Sequence, residues 1–110
     1  LTAPHTTSTH HLLNSEIMSN LKDGAMIVAL SRGGLIDERG LVDVLRSRPD
    51  LTAILDVFEC EPLSIDSKLW DLDNLRVFPH NSFVGEYNSV RLHELILSNL
   101  QEFKENYEAT

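Results

Sequence analysis

A single cysteine, Cys60, rules out any internal disulfide in this 110-residue chain. Its neighbours Glu59 and Glu61 disfavour the thiolate, which marks it as a bystander rather than a nucleophile. Basic charge is scarce: nine Lys and Arg stand against seventeen Asp and Glu, for a formal charge of -8. That is the wrong sign for a protein that neutralises a phosphate backbone, so nucleic acid is not expected as a direct partner. Long apolar runs are missing too. The run Ala25–Leu30 is far too short to span a bilayer, and no basic stretch precedes an apolar one at the start. No membrane partner is expected, and a cytoplasmic location is the simplest reading. His10 and His11 are adjacent but have no Cys, His or carboxylate partner at ligand spacing, so no metal centre is expected. Internal repeats and low-complexity segments are absent.

What is present is an ordinary globular composition, 42% hydrophobic and 24% charged, enough for one small domain. The chain opens on Leu1-Thr2-Ala3 before Pro4, which reads as the end of a strand entered midway, so part of a larger domain is expected. Asn14 is placed to cap a helix over Ser15–Lys22, closed by Gly24. Ala25–Leu30 reads as a parallel strand covered on both faces. Asp37 is placed to cap a second helix that turns Leu41, Val42, Val44 and Leu45 inward before Arg46–Pro49 stops it. Thr52–Leu55 and Leu75–Phe78 read as two more buried strands, with a long loop, Glu59–Asn74, between them. In that loop Leu69, Trp70 and Leu72 are expected to plug the core. From Glu86 to Tyr107 there is neither Pro nor Gly, and Leu92, Ile96, Leu100, Phe103 and Tyr107 recur at helical spacing. At 1.5 Å per residue such a helix is roughly 33 Å long. The order points to an α/β sandwich on a mostly parallel sheet, with a small α+β domain as runner-up.

Three polar residues stand just beyond the three strands: Arg32, Asp56 and His80. In an open parallel sheet the carboxyl ends of the strands are where ligands bind. Gly33 and Gly34 let the backbone approach a bound molecule and set Arg32 on a tight turn, from which its guanidinium fork can meet a carboxylate. Glu61 precedes Pro62 and His80 follows Pro79, so both lie on restrained loops. A carboxylate beside an imidazole holds one tautomer and stabilises the protonated ring, which suits proton transfer near neutral pH.

Ser31-Arg32-Gly33-Gly34-Leu35-Ile36-Asp37-Glu38, Leu55-Asp56-Val57-Phe58-Glu59-Cys60-Glu61-Pro62 and Pro79-His80 resemble, in order, the signature segments of the D-isomer-specific 2-hydroxyacid dehydrogenases. Pro4-His5-Thr6-Thr7-Ser8-Thr9 and Leu12-Leu13-Asn14 resemble the same family's segment near the cofactor's adenosine. The resemblance implies a partial Rossmann-like, doubly wound sheet: residues 1–110 as the C-terminal portion of a dinucleotide-binding domain, ending in a crossover helix over 86–107. It also implies an NAD-dependent enzyme acting on a small 2-hydroxy or 2-keto acid. Arg32 would bind the substrate carboxylate and polarise the C2 oxygen, His80 would exchange the proton, and Glu61 would pair with His80. Asp56 would contact the nicotinamide side, with Ala3, Pro4, Leu30, Ser31 and Ser82 lining the dinucleotide. Asn81-Ser82-Phe83-Val84-Gly85-Glu86 departs from the small, apolar, Gly-containing stretch usual there, which bears on substrate choice.

These 110 residues contain no G-x-G-x-x-G loop and no ribose-reading acid, so the chain alone is expected to be inactive and not to bind NAD tightly. For the same reason nothing in it separates NAD from NADP. The family also resembles dinucleotide-sensing corepressors, and a non-catalytic sensing or interaction module, or a truncated remnant, is the alternative reading. An unpaired edge beside Ala25–Leu30 or Ala3, together with the stripe of the last helix, leads us to expect a two-fold homodimer.

Overall fold

The structure, a computed structural model, describes residues 1–108. The elements follow in the order α1 (Ser15–Ser19), β1 (Met26–Ala29), α2 (Glu38–Ser47), β2 (Thr52–Leu55), β3 (Leu75–Val77) and α3 (Asn88–Glu108), with short 3-10 turns at Gly33–Leu35 and Lys68–Asp71. The strands form a three-stranded parallel sheet in the order β1-β2-β3. No helix among the described residues is long and apolar enough to cross a membrane.

Both expected caps form. Asn14 Oδ1 accepts from the Ile17 amide at 3.0 Å, and Asp37 Oδ1 from the Gly40 amide at 3.0 Å. Helix α1 is shorter than the spacing predicts because Asn20 ends it: the Asn20 side-chain amide donates to the Glu16 carbonyl at 2.8 Å, competing with the helical pattern. Strand β1 lacks the expected Leu30, whose amide donates instead to the Leu1 carbonyl at 3.4 Å. Helix α3 starts two residues after Glu86 because Tyr87 takes a left-handed φ of 64°.

The parallel register puts Ile27, Ala53 and Leu75 side by side on one face, followed by Ala29, Leu55 and Val77. All of these but Val77 are buried, in one cluster with Met18 of α1 and with Leu41, Val42, Val44 and Leu45 of α2. The opposite face carries Met26, Val28, Thr52, Ile54 and Arg76, none of them buried. The sheet is therefore closed on one face only among the described residues, whereas the unbroken apolar runs suggested two. An apolar run shows that a strand tolerates burial on both sides, not that the cover is present.

Leu69 and Leu72 plug the long loop onto the core, but Trp70, expected with them, is about half exposed. Its indole N–H donates to the Ser64 carbonyl at 2.9 Å. The 3-10 turn sets adjacent side chains on different sides, so Leu69 and Trp70 cannot both point inward. Along α3, Leu92, Ile96, Leu100, Phe103 and Tyr107 are all exposed, the uncovered apolar stripe on which the expectation of association rests.

Candidate active site

The carboxyl ends of the strands carry Arg32, Asp56 and His80 to one end of the sheet, where three backbone segments are tied together. The segment after Pro4 folds on itself through Thr9, whose hydroxyl donates to the Pro4 carbonyl at 2.8 Å and accepts from the Thr6 amide at 2.7 Å. It then runs beside the turn after β1, with the His11 amide donating to Gly34 and the Leu13 amide to Leu35, both at 2.9 Å. Gly33 has a further reason to be glycine: a Cβ there would lie 1.9 Å from the Phe58 carbonyl carbon. A Cβ on Gly34 would lie 2.7 Å from the His5 ring. The close approach that these glycines permit is therefore to the chain itself, not only to a ligand.

His80 Nδ1 donates to Glu61 Oε2 at 2.6 Å, a short charge-assisted bond, and Glu61 Oε1 accepts from the Phe58 amide at 3.0 Å. Those bonds, His80 first, hold the Glu61 carboxyl below its ordinary value against some burial. His80 itself has a φ of 52°, a left-handed backbone that a β-carbon disfavours. The Phe83 ring meets its imidazole edge-on at 6.0 Å between centroids. Arg32 is exposed, its Nη1 donating to the Ser31 carbonyl at 2.7 Å, which leaves the rest of the fork open. Arg32, Glu61 and His80 line a common hollow of about 410 Å³ with Gly33, Gly34, Phe58, Glu59, His5 and His10, the last of which had been dismissed as a metal ligand.

Asp56 is 1% exposed, with Oδ1 accepting from the Asn81 amide at 2.9 Å and Oδ2 from the Ser82 amide at 2.8 Å. Burial works to raise its pKa. The Ser82 and Asn81 hydrogen bonds, with the His80 charge, outweigh that and lower it. Its carboxylate holds the Asn81–Ser82 segment in place.

The other residues expected at the dinucleotide converge beside β1. Ser31 Oγ donates to the Ala3 carbonyl at 3.0 Å, and Ala3, Pro4 and Ser31 line a hollow of about 550 Å³ with Thr2, His5 and Arg32. Leu30 adjoins it through its bond to Leu1, whereas Ser82 lies across the sheet end with Asp56. Nothing among these residues cradles a pyrophosphate. Sequence reasoning also passed over Glu38 and Glu59, which bond to each other's backbone. The signal was an acid at the first position of α2 and another just past a strand end, each beside open amides.

An open parallel sheet that presents an arginine and a carboxylate-paired histidine at its carboxyl edge is the arrangement of a ligand-binding α/β domain able to hold an anion beside a proton-transfer pair. Residues 1–82 match the family model described as D-isomer specific 2-hydroxyacid dehydrogenase, NAD binding domain. The chain belongs to that family. It is 36% identical over 101 residues to the (S)-sulfolactate dehydrogenase of Chromohalobacter salexigens, covering 92% of this chain and 33% of that protein. Its identity to glyoxylate reductase 1 of Saccharomyces cerevisiae is 38% over 92 residues, covering 84% and 26%. It superposes on 96% of its length with the Sinorhizobium meliloti glyoxylate/hydroxypyruvate reductase solved with NADP and sulfate, at TM-score 0.81 and 30% identity, covering 34% of that chain. A D-isomer specific 2-hydroxyacid dehydrogenase of Xanthobacter autotrophicus Py2, solved with NADPH and MES, gives 0.78 at 34% identity, covering 96% and 43%. The chain thus spans a quarter to a third of the length of these curated relatives.

Proposed function

We propose that residues 1–110 are the C-terminal portion of the dinucleotide-binding domain of an enzyme that interconverts a small D-2-hydroxy acid and its 2-keto acid with NAD or NADP. The observation that carries this is the 2.6 Å His80–Glu61 bond in the same hollow as the open guanidinium of Arg32. A bound nicotinamide would supply the hydride donor or acceptor for substrate C2. Arg32 holds the substrate carboxylate in its fork and polarises the C2 oxygen. His80, its Nδ1 occupied by Glu61, keeps a proton on Nε2 for the C2 oxygen in reduction and takes it back in oxidation. Glu61 stabilises the imidazolium between these events. Ala3, Pro4, Leu30 and Ser31 would line the dinucleotide beside β1, with Asp56 and Ser82 contacting it from across the sheet end.

The reading includes a cytoplasmic enzyme working as a homodimer. Its substrates are short 2-keto acids of the kind that the relatives' names record, glyoxylate and hydroxypyruvate among them. The test is oxidation of NADH and NADPH by the full-length protein with glyoxylate, hydroxypyruvate, pyruvate and sulfopyruvate. Turnover of at least one, lost in His80→Ala, is expected. No turnover with any of the four would overturn the reading.

A further inference from the structure

Beyond the catalytic trio, we propose that Glu59 is a positioning residue for the Glu61–His80 pair. It clamps the loop that carries Glu61 to the start of α2 and to the segment after Pro4. The inference rests on the catalytic reading of that pair.

Glu59 Oε1 accepts from the Glu38 amide at 3.0 Å and from His11 Nε2 at 3.1 Å. The Glu38 amide is the first of α2, one of the donors that a helix leaves without a partner. Asp37 satisfies the Gly40 amide of the same turn from within, and Glu59 satisfies the Glu38 amide from another strand's loop. The positive end of the helix favours a carboxylate there. Glu38 returns the bond, its Oε1 accepting from the Glu59 amide at 2.6 Å. This is the reciprocity of a capping box, made between segments 21 residues apart.

The consequence for chemistry runs through one residue. Phe58 fixes Glu61 Oε1 with its amide at 3.0 Å, and its carbonyl forms with the Glu59 amide the peptide that packs against Gly33 beside Arg32. Clamping Glu59 therefore sets where the Phe58 donor points, and so where Glu61 presents Oε2 to His80. A like-charge cluster opposes the arrangement. Burial raises the pKa of the Glu38 carboxyl, and the nearby charges of Glu59 and Glu61 raise it further. The helix terminus offsets that repulsion, while Arg32 borders the hollow that Glu59 and Glu61 line.

The experiment uses the full-length protein labelled at histidine nitrogen and carbon, with the His80 ring signals recorded by NMR in wild type, Glu61→Gln, Glu59→Ala and Glu59→Gln. The downfield Nδ1–H proton of a ring bonded to a carboxylate is the signature of the pair, and Glu61→Gln sets the full change that follows its loss. Glu59→Ala should produce at least half of that change. Glu59→Gln, which keeps an oxygen for the Glu38 amide, should stay near wild type. Turnover should follow, with kcat falling about 10- to 100-fold in Glu59→Ala, as for a small misplacement of a reacting group. Within the Glu61→Gln background the same change should cost less than threefold, because it acts through Glu61. A His80 Nδ1–H signal in Glu59→Ala that coincides with wild type, or a loss that multiplies in full with Glu61→Gln, overturns the inference. The NMR readout does not require turnover, so an inactive wild type counts against the catalytic reading and leaves the test of Glu59 intact.

Discussion

His80 combines a left-handed backbone with the shortest side-chain bond of the site, and the two can be separated by substitution. Both His80→Ala and His80→Gly remove the imidazole, but only glycine accepts a φ of 52° freely. His80→Gly should therefore be more stable than His80→Ala by about 1 kcal/mol, read from denaturant midpoints, with both variants inactive. Equal midpoints would show that the backbone there is not strained. At Glu61 the folded pKa lies below the unfolded one. Its bonds therefore contribute stability above the ordinary carboxyl range, and that stability is lost as pH falls through the folded value. Thermal melts below pH 4.5, the ordinary value, should show wild type losing stability more steeply than Glu61→Gln. In the whole enzyme Glu61→Gln should lower kcat, and unchanged turnover would refute the pairing.

Among the elements, the contact between the turn after β1 and the loop after β2 holds the site in register. Gly33→Ala places a methyl 1.9 Å from a backbone carbonyl carbon, a clash that no rotamer relieves. The two loops must part, and since Arg32 sits on one and Glu61 on the other, kcat/KM should fall by at least tenfold along with stability. Wild-type kinetics in Gly33→Ala would show that the contact is dispensable. A second joint is Asn74, whose side-chain amide donates to the Leu45 and Leu51 carbonyls at 3.0 Å and weakly to Arg48 at 3.4 Å. It closes the end of α2 against the start of β2 from the far side of the sheet. Asn74→Ala leaves those partly buried carbonyls without their donor and should cost about 1–3 kcal/mol in chemical denaturation. This joint is remote from His80, so any remaining folded fraction should keep its specific activity.

At the scale of the molecule, α3 decides the shape: extents of 62 × 29 × 25 Å describe a compact sheet domain with an arm. The apolar residues of that arm, from Val90 and Leu92 to Phe103 and Tyr107, are at least half exposed or nearly so. A contiguous surface of this kind associates in water, and the outer edge of β1 is only partly occupied by Leu1. The isolated chain should accordingly show a dimeric mass in light scattering at micromolar concentration. Substituting Leu92, Ile96 and Leu100 by Ser should return it to monomer. A monomeric mass that persists as concentration rises would rule this out.

Much of the molecule was legible from residue order because the information is local. Caps at Asn14 and Asp37 lie next to the amides they serve, strand runs are contiguous, and Arg32, Asp56 and His80 follow strand ends whose parallel pairing brings them to one edge. Glu61 and His80 could be paired as a carboxylate and an imidazole on restrained loops, and the resemblance implied the same pairing. What tertiary structure decided is everything that depends on which surfaces meet. The sheet is closed on one face, because cover comes from other segments; Leu69 rather than Trp70 turns inward, because the 3-10 turn allows only one of them. Asp56 is enclosed by the Asn81 and Ser82 amides, Gly33 is pressed against Phe58, and Glu59 serves a helix that begins 21 residues before it. An acid at the end of a strand and an open amide at the start of a helix are visible as types in a sequence. Which acid reaches which amide is settled only when the chain is packed, since hydrogen bonds act over about 3 Å in space whatever the separation along the chain.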